Sequence, residues 1–207
     1  MTEAFTRRLI EAVASRVIAA ADGLTALDRQ TGDGDHGTNM KLGCEAVLAQ
    51  LGQLSQRPLP DALRAVGNIL QMKVGGASGP LYATLFMTLG KGLAQDSDKA
   101  SWSGQSQLAA ALEGAIAAIQ RLGRSEPGCK TMLDVLVPVQ RLLAEGGPDL
   151  PARVAARAAE AAEATAAMKA TRGRAAFLGD RSIGHVDPGA RSAQTMVAAV
   201  CSVLRDA

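Results

Sequence analysis

Asp28-Arg29-Gln30-Thr31-Gly32-Asp33-Gly34-Asp35-His36-Gly37 reads as a connection between helices rather than as part of one. Gly32 and Gly34 are poor helix formers that let the backbone turn tightly. On both sides of them apolar residues recur at helical spacing. Upstream, Phe5, Leu9, Ile10, Val13, Val17 and Ile18 fall on one helical face. Followed outward in both directions, the same period predicts helices over 3–21, 39–51, 59–74, 79–94, 105–122, 131–145, 151–171 and 190–205, and no strand. Aromatic residues make up only 2% of the chain, while alanine, which loses no side-chain entropy in a helix, is plentiful. The expected fold class is all-α, with eight helices.

The connections between these helices fall into two chemical kinds. Gly52 to Pro58, Gln95 to Gly104 and Gly146 to Leu150 are ordinary linkers. The others are Asp28 to Gly37, Gly75-Gly76-Ala77-Ser78-Gly79, Gly123 to Lys130, and Gly173 to Gly189, all glycine-rich and carrying aspartate, serine or histidine. They follow the first, third, fifth and seventh expected helices. Short connections make successive helices antiparallel, so in an up-and-down bundle all four should emerge at one end. The last is long for a helix-to-helix connection, and long ordered loops are usually functional. With no internal repeat and no low-complexity linker, the expected organisation is a single domain over 1–207.

Composition excludes several classes of partner. The 22 basic and 20 acidic residues leave a net charge of +2, too weak a field to hold nucleic acid or an anionic membrane. The segment Met1 to Arg8 is polar, with no apolar run behind it of membrane-spanning length. Cys44, Cys129 and Cys201 are far apart and form no CxxC pair. A soluble, cytoplasmic protein is expected.

Asp28, Asp33 and Asp35 lie close in sequence, and three like charges are costly together without a cation. Carboxylate oxygens in this number suit magnesium, which shares its coordination sphere with substrate phosphates. Calcium fits less well: the position where an EF-hand loop needs its bidentate glutamate is Cys44. A solvated turn whose aspartates cap helices is the plainer alternative. Gly75 to Pro80 precedes an apolar helix, with Ser78 placed to cap it. Free N–H groups at such a start can hold phosphate, although small residues there also serve close helix packing. Gly128-Cys129-Lys130-Thr131 is not a P-loop, because Cys129 separates the glycine from the lysine and no strand precedes it. Arg174 or Arg181 can clamp a phosphate or simply pair with an aspartate. His36 and His185, the only histidines, can contact phosphate or protein.

Thr31 to Gly37, Gly75 to Leu81, Lys130-Thr131-Met132-Leu133-Asp134 and Gly173 to Gly189 resemble, in that order, the motifs of the dihydroxyacetone kinase L family. The resemblance spans essentially the whole chain. It implies an eight-helix antiparallel barrel with nucleotide at one end. Asp28, Asp33 and Asp35 then correspond to the ligands of two magnesium ions bridging the phosphates of ADP or ATP. His36, Gly37, Thr38, Asn39, Ala77, Ser78, Gly123, Met132, Arg174, Asp187, Pro188 and Gly189 correspond to nucleotide contacts. Phe177, Asp180 and Val186 depart from the residues common in the family. The resemblance further implies a separate K subunit that holds the keto-sugar. It leaves two routes: ATP exchanging as a substrate, or ADP retained and recharged by a phosphohistidine protein of the phosphotransferase system. A kinase subunit for a four-carbon keto-sugar and a non-catalytic ADP-sensing module stay open as alternatives, and self-association is undetermined.

Overall fold

The structure, a computed structural model, describes residues 2–94 and 104–206. Within them lie ten α-helical segments: α1 (Glu3–Ala19), α2 (Ala21–Thr31), α3 (His36–Leu48), α4 (Leu51–Ser55), α5 (Leu59–Lys73), α6 (Ser78–Ala94), α7 (Gly104–Gly123), α8 (Leu133–Glu145), α9 (Leu150–Ala164) and α10 (Pro188–Arg205). No strand occurs among the described residues. The expected linker from Gln95 to Gly104 lies outside them except for Gly104.

Local chemistry sets the helix ends. Thr2 caps α1 by accepting the Phe5 N–H, and Ile10, Ala14 and Val17 form its buried face. Asp187 caps α10 through the Ala190 N–H, with Pro188 in the first turn. The helices then close a ring: α1 lies against α3, α3 against α5, and so on through α6, α7, α8 and α9 to α10, which returns to α1. Glycines bring the walls close. A side chain on Gly67 of α5 would collide with Met87 and the Ala83 carbonyl of α6, and one on Gly90 of α6 would strike Pro60 and Arg64 of α5. The interior is apolar and incompletely filled, with a space of about 380 Å³ lined by residues such as Leu9, Val47, Leu70, Phe86 and Met196. Among the described residues, no helix is long and apolar enough to cross a membrane.

The helix count differs from the expected eight for physical reasons. After α1 the chain bends at Ala20 and resumes as α2, which buries Ala21, Leu24, Asp28 and Thr31 on one face. Asp28 is therefore helical, not part of a loop. The single turn α4 occupies the first half of the segment expected as the linker Gly52 to Pro58. α3 begins at His36 rather than 39, because Asp28 Oδ2 accepts the N–H of both Asp35 and His36.

α9 stops at Ala164, well short of 171, although the sequence there contains no breaker. The cause is tertiary. Lys130, only 1% exposed, extends its ammonium from the third glycine-rich loop to the carbonyls of Thr165 (2.7 Å), Met168 (3.0 Å), Ser182 (2.8 Å) and His185 (2.6 Å). Met168 adopts an extended conformation, and the chain passes through 3-10 turns at 165–167 and 174–182 before α10. Gly179 breaks the second turn at a φ of 58°, which favours glycine.

Lys130→Met retains the length of the side chain and removes its charge, taking the ammonium from all four carbonyls, of which that of Thr165 keeps the Met168 N–H as a donor. It should lower stability by roughly 3 kcal/mol, read as a drop in urea midpoint. Amide exchange should accelerate over 165–187 while α5 and α6 keep their protection; an unchanged midpoint would mean the carbonyls need no ammonium.

Candidate functional site

Gly34, at a φ of 76°, turns the chain between Asp33 and Asp35 and folds this segment back over the end of α2. One carboxylate oxygen from each of Asp28, Asp33 and Asp35 then lies within 4.8 Å of the others. Asp28 is buried, and its Oδ2 is held by the N–H groups of Asp35 (2.9 Å) and His36 (3.1 Å). Burial pushes the Asp35 carboxyl above the usual range, and the negative charges of Asp33 and Asp28 add to this, while a hydrogen bond from Asn39 opposes it. Arg174 Nη1 lies 2.8 Å from Asp33 Oδ2. Three hard oxygen donors whose mutual repulsion raises a carboxyl pKa fit a divalent cation such as magnesium.

The glycine-rich loop before α6 forms the facing wall. Gly76 takes a φ of 64°, and Ser78 opens the helix, so the first amides of α6 have no helical acceptor. Ser78 does not cap α6: its Oγ lies 2.9 Å from His36 Nδ1. The other ring nitrogen, Nε2, is 2.9 Å from Ser192 Oγ in α10. Ser192 Oγ is in turn 2.6 Å from the Tyr82 hydroxyl, which also reaches the Gly189 carbonyl. His36 is buried, which lowers its pKa. The acidic loop, the glycine-rich loop and the start of α10 are thus joined beneath the surface by side chains.

The third and fourth loops complete the rim. Asp134 accepts the N–H groups of Gly128 and Thr131, the latter at 2.7 Å, curling the chain just before Met132. Asp187 is pushed up to about 7 by burial, with the Ala190 N–H and the Lys130 charge opposing and Asp134 adding to the shift. Its oxygen Oδ2 accepts from Ala190 at 2.7 Å, so this carboxyl serves the helix cap. Together the four loops enclose a pocket of about 150 Å³ with acid on one side, the start of α6 on another, and Leu81 and Met132 between.

Of the residues singled out by sequence, Asp28, Asp33, Asp35, His36, Ala77, Ser78, Met132, Arg174, Asp187, Pro188 and Gly189 line this pocket. Gly37, Thr38, Asn39 and Gly123 do not form its wall. Gly37 is pressed against Ala21 and Thr25 of α2, where a Cβ would collide with the Ala21 carbonyl. Thr38 is exposed, Asn39 sits between Asp35 and Gly75, and Gly123 approaches the pocket residue Leu81 from the end of α7. His185 faces outward to Gln30 at 2.8 Å. Sequence reasoning missed Tyr82, Arg172 and Ser192, and noticed Thr31 only as the start of a motif. Tyr82 carried one signal, as the sole tyrosine of the chain within an otherwise apolar helix. Lys130 was noticed only as part of a motif, and its ammonium turns to loop carbonyls rather than to a phosphate, in keeping with the absence of a P-loop.

Residues 30–202 match the DAK2 domain family. The PEP-dependent dihydroxyacetone kinase ADP-binding subunit DhaL of Escherichia coli K12 is 40% identical, over 84% of this chain and 84% of its own. The PTS-dependent dihydroxyacetone kinase ADP-binding subunit DhaL of Lactococcus lactis is 36% identical, over 82% of this chain and 81% of its own. Rat triokinase/FMN cyclase is 33% identical over 95% of this chain, which spans only 34% of that longer protein. The solved structure of the C. freundii dihydroxyacetone kinase in complex with AMP-PNP and Mg2+ superposes with a TM-score of 0.76 at 26% identity, covering 96% of this chain and 34% of that one. On sequence match, helical architecture and the converging loops together, this chain belongs to the DAK2-domain family and, within it, to the dihydroxyacetone kinase L subunits.

Proposed function

We propose that this chain is the nucleotide-holding half of a dihydroxyacetone-type kinase, and that it passes a phosphoryl group to a keto-sugar hydroxyl held by a K-type subunit. The observation that carries this reading is the three-carboxylate cluster, with its oxygens within 4.8 Å of one another, at a pocket whose facing wall is the start of α6. Asp28, Asp33 and Asp35 are the residues that would hold two magnesium ions. Bound there, magnesium would supply the positive charge that phosphoryl transfer needs against the phosphate oxygens. Ala77, Ser78 and the opening amides of α6 supply N–H and O–H donors to the phosphates. Arg174, beside Asp33, adds a planar cation suited to bidentate phosphate contact. Met132 and Leu81 offer apolar surface toward Gly123 for the base.

The pocket provides positioning and charge rather than a nucleophile. Both ring nitrogens of His36 are already engaged by serine hydroxyls, and His185 points away to Gln30, so neither histidine is suited to carry a phosphoryl group. The acceptor sugar and its specificity belong to the K subunit. The relatives in E. coli and L. lactis, named as ADP-binding subunits of PEP- or PTS-dependent kinases, favour the route in which ADP stays bound. A phosphohistidine protein would then recharge it in place.

Asp33→Ala and Asp35→Ala should each reduce phosphoryl transfer in a reconstituted system by ~100-fold or more without changing the helical spectrum. Because it relieves like-charge repulsion, Asp35→Ala should also raise the melting temperature in chelator, whereas Asp33→Ala loses the Arg174 ion pair as well. Full activity in either variant would remove the metal assignment.

Denaturing the purified protein should release ADP, identified chromatographically, and labelled ATP with magnesium should exchange into fresh protein only slowly. Rapid exchange would instead favour the ATP-dependent route. A folded, magnesium-supplied protein that holds no nucleotide would overturn the proposal.

A further inference from the structure

Beneath the pocket, Tyr82, Ser192, His36 and Ser78 form one continuous file of hydrogen bonds, and its protons can be counted. The Tyr82 hydroxyl lies 2.6 Å from Ser192 Oγ, Ser192 Oγ lies 2.9 Å from His36 Nε2, and His36 Nδ1 lies 2.9 Å from Ser78 Oγ. Tyr82, Ser192 and His36 are 1%, 0% and 7% exposed, so water has no place in the file. Ser78 alone is half-buried and lines the pocket. Each hydroxyl brings one proton, and a neutral imidazole brings one.

Ser192 Oγ also lies 3.0 Å from the Gly189 carbonyl, so these protons satisfy the three contacts in three ways. In two of them Ser78 donates to Nδ1 and Nε2–H to Ser192; then either Ser192 donates to Tyr82 and Tyr82 to the Gly189 carbonyl at 3.2 Å, or Tyr82 donates to Ser192 and Ser192 to that carbonyl. In the third, Tyr82 donates to Ser192, Ser192 to Nε2, and Nδ1–H to Ser78. Only the third leaves the Ser78 proton free to turn into the pocket. A phosphate beside Ser78 has no proton to give and needs one, which selects this direction.

We infer that Ser192 and Tyr82 are positioning residues: with nucleotide bound they hold His36 as its Nδ1–H tautomer, so that Ser78 presents its hydroxyl proton to a phosphate oxygen. The inference rests on the reading of this pocket as a nucleotide site. It gives the buried histidine a task that neither metal binding nor phosphoryl transfer requires. It also explains why a hydroxyl on α10, remote in sequence, adjoins the start of α6.

With only His36 and His185 in the chain, nitrogen NMR of histidine-labelled protein is readily assigned by comparison with His185→Gln. In the ADP–magnesium complex of the full chain, His36 should show a protonated Nδ1 and a bare Nε2. Ser192→Ala should weaken ADP binding about tenfold in the wild-type background and leave it nearly unchanged in a Ser78→Ala background. A merely structural serine would weaken both backgrounds equally, and that result overturns the inference. So does a complex in which ADP is bound but Nε2 carries the proton or both nitrogens do, and in either case the nucleotide site itself still stands. Wild-type protein that binds no ADP removes the site and the relay together. Should Ser192→Ala fail to fold, Tyr82→Phe, which keeps the ring, carries the same cycle with an expected loss of about threefold.

Discussion

The functional end of this protein depends on a buried ammonium group. Lys130 stands where a bound cation could have stood: its Nζ gathers carbonyls from Thr165 and Met168 on one side of the fourth loop and from Ser182 and His185 on the other. A loop of this length would otherwise carry buried carbonyls without donors, at a cost of about 1–3 kcal/mol for each. The lysine reaches them from a backbone with a φ of 64°, a conformation that disfavours L-residues. That strain is sustained by Asp134, which grips the neighbouring amides of Gly128 and Thr131. Arg174 meets Asp33, and Asp187 caps α10, because the loop between them is fixed at both ends.

A second constraint runs in the opposite sense. The barrel walls are joined by apolar burial and by glycines that admit close helix contact, and these favour the folded state. The acidic cluster works against it, since Asp35 is held above its ordinary range by burial and by its neighbours' charge. Asp28 shows how the two are reconciled. One of its oxygens is committed to the amides that start α3, which fixes the carboxyl's direction while the residue still brings an oxygen into the cluster. The same residue is therefore both a structural clasp across the turn and a member of the charged site.

Much of this was legible in the sequence because its signals are local. Apolar period gave the helical walls, and the alternation of plain and glycine-rich connections placed four loops at one end, where Asp28, Ser78, Met132 and Arg174 now meet. What escaped depends on contacts distant in sequence. The helix expected over 3–21 ends close to the bend at Ala20, but with Asp22-Gly23 just beyond it nothing announces that the chain resumes at once as α2. Nothing between 158 and 171 says that α9 must stop, because the agent is Lys130, about 35 residues away. Ser192 is one small polar residue within an alanine-rich helix, and only the folded barrel sets it against His36. Gly37 read naturally as part of a binding loop, yet its missing side chain makes room for the backbone of α2.

The division of labour in the proposed reaction follows from these same features. A site meant to form a covalent intermediate needs a nucleophile with a free lone pair beside a base. Here the buried histidine is saturated by hydroxyls, the lysine by carbonyls, and Asp187 by a helix cap. What stays open toward the pocket is carboxylate oxygen, helix-start amide and one serine hydroxyl. Such a set can hold phosphates and spread their charge, but it contains nothing that would choose a sugar. On the proposed reading the acceptor must then be brought by a second protein surface, and the rigid rim fixed by Lys130 is what allows a phosphoryl group to be presented to it in a constant position. A loose rim would lose the entropic advantage that makes positioning catalytic.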